Sequence, residues 1–162
     1  MKELSVSITA IVVLFIFTMP LLAQDVSRQV LHENWTLRAS SRPGAQPVRA
    51  EVPGTVQLQL IEDGLLPDPY YGTNEKLVQW VGETGWTYAL NFAVDHYDST
   101  RHYQLTFQGL DTYAEVVLNG SIILRADNMF RTWSVDVGEL LQPSNNRLRV
   151  HFTPPAQALA PF

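Results

Sequence analysis

Between Trp86 and Val94 every second residue is apolar and mostly large. Trp86, Tyr88, Leu90, Phe92 and Val94 alternate with Thr87, Ala89, Asn91 and Ala93. Successive side chains of an extended chain point to opposite faces, so this period sets one face against a core and the other toward water. The stretch therefore reads as a long strand, and a half-buried strand needs partners. The chain supplies them. Tyr103, Leu105 and Phe107 alternate with His102, Gln104 and Thr106. Residues 112–118 and 121–125 flank Asn119-Gly120, a pair suited to the positive φ angles of a type I′ hairpin turn. Residues 34–39 place Trp35 and Leu37 on one face, and residues 132–137 and 147–152 complete the set around Pro143-Ser144-Asn145-Asn146. Residues 40–47 are a polar loop with Pro and Gly. One segment departs from the pattern: TVQLQLIE (55–62), after Pro53-Gly54, predicts a short helical turn ended by Asp63-Gly64. Six or more short strands with almost no helix predict an all-β fold, an antiparallel β-sandwich.

The start of the chain belongs to a different physical class. Lys2 precedes a nearly unbroken apolar run over residues 6–22, and Leu21-Leu22-Ala23 puts a small residue before Gln24. This is the pattern of a secretory signal peptide over residues 1–23, with Thr18 and Pro20 favouring cleavage over a membrane anchor. The expected organisation is a sandwich over residues 24–155. Residues 156–162 then begin a linker, and the chain is expected to stop short of further domains.

Lys2 and Glu3 cancel, so removing the leader leaves the net charge at −5. With no Lys/Arg cluster, neither nucleic acid nor an anionic membrane is an expected partner. There is no cysteine, so an exported domain of this size must be held by its core alone. His32, His96, His102 and His151 show no metal-ligand spacing, and neither a metal nor a cofactor is expected.

The segment PDPYYGTNE (67–75) draws attention because an Asn-Glu pair, Asn74-Glu75, sits among Pro, Gly and Tyr. Cutting a glycosidic bond needs two carboxylates facing each other across it. Asp68, Asp111, Glu115 and Asp127 are possible partners for Glu75, but no spacing rule selects one, and Asp68 and Asp111 suit turn capping. No GxSxG elbow, P-loop or GxGxxG is present. Asn34-Trp35-Thr36 and Asn119-Gly120-Ser121 fit the glycosylation acceptor pattern, yet the first carries a core Trp and the second a hairpin turn. Tyr70, Tyr71, Trp80, Trp86 and Trp133 could stack sugars. Trp86 and Trp133 lie on strands and are expected in the core, while Tyr70, Tyr71 and Trp80 sit in a long connection, residues 64–85, of the kind that tends to carry function.

Six strings in fixed order carry a resemblance: VPGTV (52–56), PDPYYGTNE (67–75), GWTY (85–88), FQGLDTYAEVVLNG (107–120), ADNMFRTWSVDV (126–137) and NNRLRVHFTPP (145–155). Together they resemble the N-terminal sugar-binding domain of β-mannosidases of glycoside hydrolase family two, from about Trp35 to Pro155. The resemblance implies a jelly-roll sandwich that precedes a TIM barrel, with both catalytic glutamates on the barrel. It also implies that Glu75 is not the proton donor, because it lies in a loop of the first domain. Asn74 is then the leading contact to a mannoside or to the barrel, with Tyr71, Glu75 and Trp80 beside it and no catalytic residue in this stretch. A free-standing carbohydrate-binding module is the competing expectation. An exported enzyme of this kind would be periplasmic or secreted, or lysosomal in a eukaryote.

Overall fold

The computed structural model describes residues 26–160, so the leader expected over residues 1–23 lies outside the described residues. Among the described residues, eight strands form two antiparallel sheets. The larger has six strands in the order β2 (Val48–Ala50), β1 (Trp35–Ala39), β3 (Trp86–Phe92), β8 (Asn146–Thr153), β5 (Tyr113–Leu118) and β6 (Ser121–Ala126). The smaller pairs β4 (Gln104–Phe107) with β7 (Trp133–Asp136). The alternation that marked Trp86 onward is what the structure uses. Trp86, Tyr88 and Leu90 are buried, as are Leu37, Val116, Leu118, Leu148 and Val150 from the flanking strands. Leu105 and Phe107 of β4 and Trp133 and Val135 of β7 pack against this core from the other side, which makes the fold two layers deep.

The hairpin forms at Asn119-Gly120, with φ of 52° and 93°. The two strands register Leu118 against Ser121 and Val117 against Ile122, then slip at Val116. Asn119 does more than turn. Its side-chain nitrogen donates to Leu140 O (2.7 Å) and Asn146 Oδ1 (2.9 Å), and its Oδ1 accepts from Arg147 N. The atom that glycosylation would modify is thus already engaged.

Helix is more abundant than the sequence led us to expect. The 55–62 segment is helical as anticipated, forming α1 (Val56–Glu62) with Thr55 Oγ1 capping Leu58 N and Gly64 at φ 68° past its end. Short helices α2 (Glu75–Val78) and α3 (Trp80–Glu83) also interrupt the connection before β3, and α4 (Pro155–Ala158) turns the tail back on itself. These are single turns that propensity alone cannot sustain, so packing holds them. The three-residue strand β2 was not anticipated either. It reaches the sheet only through β1, pairing Trp35 with Ala50.

The VPGTV string has a steric reason. Gln59 is buried, and its Oε1 accepts from Glu51 N (3.0 Å). A Cβ on Gly54 would sit 2.7 Å from Glu51 O and 3.0 Å from Gln59 Nε2. Gly54→Ala should therefore force apart the β2–α1 junction and lower stability by about 1–3 kcal/mol. Urea unfolding of the purified variant checks this, and an unchanged midpoint would show that the junction yields freely.

Candidate functional site

The register of the large sheet brings separate sequence strings to one end. Ala39 pairs with Trp86, Trp86 with Phe152, Phe152 with Ala114, and Ala114 with Ala126. The last residues of β1, β8 and β6 and the first residues of β3 and β5 thus share a row. Just beyond that row lie the 40–47 loop, the exit of the 64–85 connection, the Gly109–Thr112 turn, the 127–132 loop and the tail. Hydrogen bonds tie several of them: Ser40 N donates to Gly85 O (2.8 Å), and Gln157 Nε2 donates to Glu83 O (3.1 Å). A Cβ on Gly109 would come within 3.2 Å of Met129 O, so the GLDT and DNMF turns lie against each other.

The PDPYYGTNE segment projects from this end on a fixed base. Ala39, Arg42, Leu60, Leu65, Trp80 and Trp86 line a hollow of ≈ 360 Å³ at that base. Trp80 tilts against Trp86 at 5.7 Å between centroids, and the Arg42 guanidinium covers its ring at 4.6 Å. Trp86 Nε1 donates to Val81 O (2.9 Å) within the buried core, which clamps α3 onto β3. Trp80 thus helps anchor the connection: Arg42 covers its ring and Trp86 packs against it. Trp80 stays half-buried and lines the hollow at the base of the connection.

Above the base, the loop holds its own shape. Asp68 Oδ1 accepts from Tyr70 N (2.9 Å), an Asx turn, and Asp68 O accepts from Asn74 Nδ2 (2.9 Å). Asn74 N donates to Tyr71 O and Leu77 N donates to Asn74 O, which carries the chain into α2. Asn74 therefore spends its amide nitrogen on the loop and keeps Oδ1 available to a ligand hydroxyl or a neighbouring surface. Tyr70 is 96% exposed and Tyr71 78% exposed, so both rings stand in solvent. Glu75 opens α2, is exposed, and makes no ion pair or side-chain hydrogen bond among the described residues. It lines neither of the two hollows described.

Two features of this end escaped the sequence reading. Phe130 is 89% exposed at the tip of the 127–132 loop, where Asn128 Oδ1 accepts from its backbone nitrogen (2.9 Å). Trp133 is only half-buried: it packs on the core, donates to Asn128 O (3.3 Å) and carries Arg131 over its ring at 4.2 Å. The signal for Phe130 was present as a large apolar residue inside an Asn-initiated turn, a position that solvent normally claims.

The profile of the family described as glycosyl hydrolase 2 galactose-binding domain-like matches residues 35–161. The chain belongs to that family. Among relatives, β-mannosidase B of Thermothelomyces thermophilus is 44% identical over 124 residues, covering 75% of this chain and 14% of its own length. The crystal structure of a β-D-mannosidase from Dictyoglomus thermophilum superposes with a TM-score of 0.75 at 38% identity, covering 81% of this chain and 16% of that one. An exo-chitosanase of Amycolatopsis orientalis shares the fold at a TM-score of 0.66 and 20% identity, covering 74% of this chain and 16% of its own. The chain spans about a seventh of the length of the β-mannosidase relatives, and within the family it is the galactose-binding-like part of their length that it matches.

Proposed function

We propose that this chain forms the N-terminal domain of an exported β-mannosidase, a retaining exo-glycosidase that removes terminal β-linked mannose from oligosaccharides. Residues 1–23 direct export to the periplasm or outside the cell, or to the lysosome in a eukaryote. Residues 24–155 form a jelly-roll sandwich, and residues 156–162 lead toward a catalytic TIM barrel against which the sandwich packs. Its role is to wall the mannoside pocket. Asn74 Oδ1, Tyr71 and Glu75 meet the sugar or the barrel mouth, and Trp80 holds them in place from below. One observation carries this reading: the segment PDPYYGTNE projects as a hydrogen-bonded loop from a packed base, in a chain 44% identical over 124 residues to a β-mannosidase.

A retaining mechanism uses two carboxyl groups about 5–5.5 Å apart, one as nucleophile and one as acid/base. Glu75 is exposed and lines neither hollow, which does not suit an acid/base carboxyl whose pKa must be raised by its surroundings. The chain alone should therefore not hydrolyse an aryl β-mannoside, and release of the phenol above the buffer rate would overturn the assignment of Glu75 to a wall.

The exposure of Tyr70 and Tyr71 favours one other reading, a binding module that works without a barrel. Calorimetry with mannobiose separates the two. Heat that saturates on the chain alone, and vanishes in Tyr70→Ala/Tyr71→Ala, supports the module. No heat supports a wall that is complete only against its barrel.

A further inference from the structure

The outer face of the large sheet is segregated in charge. β1 presents Arg38, β2 Arg49 and β8 Arg147 and Arg149, while β1, β2, β3 and β8 contain no Asp or Glu. In a chain of net charge −5 this is a local reversal of sign. Arg125 on β6, at the far edge of the same sheet, shows the ordinary arrangement, bonded to Glu115 of β5 at 3.0 Å. Arg38, Arg49, Arg147 and Arg149 make no ion pair among the described residues. Arg38 donates one N–H to Pro43 O (3.2 Å), and a guanidinium has four more.

The arginines surround a floor of small side chains. The register sets Thr36 beside Ala89 and Ala89 beside Arg149, with Arg38 beside Thr87 on the next row. Thr36, Arg38, Pro47, Thr87, Ala89 and Arg149 line a hollow of ≈ 250 Å³. Thr36 Oγ1 donates to Ala89 O (3.2 Å), which leaves its lone pairs as acceptors for a ligand hydroxyl. Thr87 Oγ1 is bonded to His151 Nδ1 (3.0 Å) and can accept in the same way. The hollow shares Arg38 and Pro47 with the one at the loop base and extends from there toward mid-sheet, onto Thr36, Ala89 and Arg149.

We propose that this hollow binds the carboxylate-bearing ring of a uronic acid, free or within an acidic glycan. Guanidinium groups recognise carboxylates through paired N–H bonds, and Arg38 and Arg149 flank the hollow from opposite sides of β3. Arg49 and Arg147 extend the positive field around it. The hollow has room for a ring beyond the anionic group, and its hydroxyl-bearing floor suits ring hydroxyls. That combination favours an acidic sugar over an inorganic anion. This inference does not depend on the β-mannosidase reading.

Titrating the 162-residue chain with glucuronic acid, followed by calorimetry or amide chemical shifts, tests it. Saturable binding is expected, weakened by salt, with shifts centred on residues 36, 87, 89 and 149 and none for glucose. Arg38→Gln/Arg149→Gln should weaken it by about tenfold or more while melting like the parent, as surface substitutions usually do. Should that variant fold poorly, the site of the shifts and the glucose control in the parent still decide. Absence of glucuronate binding, or shifts elsewhere, overturns the proposal. Sulfate binding as tightly as glucuronate reduces the site to an anion patch, and oligoglutamate binding more tightly makes it a docking face for acidic protein; either result also overturns it.

Discussion

Replacing Asn146 with alanine should lower the unfolding free energy by about 3 kcal/mol and the melting temperature by about 10 °C. Asn146 is fully buried at the start of β8, and each half of its amide is used. Its Oδ1 accepts from Gln142 N (2.8 Å) and Asn119 Nδ2 (2.9 Å). Its Nδ2 donates to Gln142 O (2.6 Å) and Phe92 O (3.4 Å). One side chain thus closes the 142–146 turn, braces the hairpin residue Asn119 and meets the end of β3. Truncation strands backbone groups that water cannot easily reach, and that penalty exceeds the net worth of the bonds themselves. Asn146→Leu should cost as much, because similar volume does not satisfy those groups. Asn146→Asp is the sharper test. A carboxylate keeps the two accepted bonds but faces the oxygens of Gln142 and Phe92, so the variant should be weakest near neutral pH. Burial and that repulsion raise the aspartate's folded pKa above its unfolded value, so the lost stability should return as pH falls and the carboxyl protonates. The exposed neighbour Ser144→Ala should change stability by no more than about 0.5 kcal/mol. Equal melting of Asn146→Ala and the parent would mean that water replaces the amide at no cost.

Asn146 also shows where the sequence stops being legible. Asn145-Asn146 looks like an ordinary turn pair after Pro143-Ser144, and only the sheet register turns one of the two residues inward. The strands themselves were readable because a two-residue period is a local property: β3, β5 and β8 fall within a few residues of their expected bounds. The helices α2 and α3 were not readable. Their residues alone favour a loop, and what holds α3 is Trp80 on Trp86, with Arg42 contributed from a distant loop. The neighbours of Trp80 were hidden for the same reason, since its identity suggests sugar stacking and only the fold brings Trp86 and Arg42 to its ring. The loop of Asn74 lay between these cases. Pro, Gly, Asp and Asn announced a turn, and the structure supplied the bond from Asn74 Nδ2 to Asp68 O that leaves Oδ1 free to accept.

Trp86→Ala should cost about 4 kcal/mol, a large part of the 5–15 kcal/mol that usually holds a domain together. The residue is 5% exposed and joins three structures at once. Its backbone pairs with Ala39 and Phe152 across β3, its ring supports Trp80, and its Nε1 holds Val81 O. Removing the ring opens a cavity at the sheet end and frees the base of the 64–85 connection. Trp86→Phe separates the two losses. Phenylalanine retains most of the apolar surface but cannot donate to Val81 O, so the global cost should fall to about 1–3 kcal/mol. The local effect should remain. Amides of α3 and of the Asp68–Asn74 turn should exchange faster in Trp86→Phe while those of β3 and β8 keep their protection, because local opening needs less free energy than global unfolding. Denaturant unfolding gives the first number and hydrogen exchange the second. If exchange in α3 and the loop stays at the parent rate, the PDPYYGTNE loop stands without help from the core, and the tie from Trp86 through Val81 and Trp80 is not what positions Asn74.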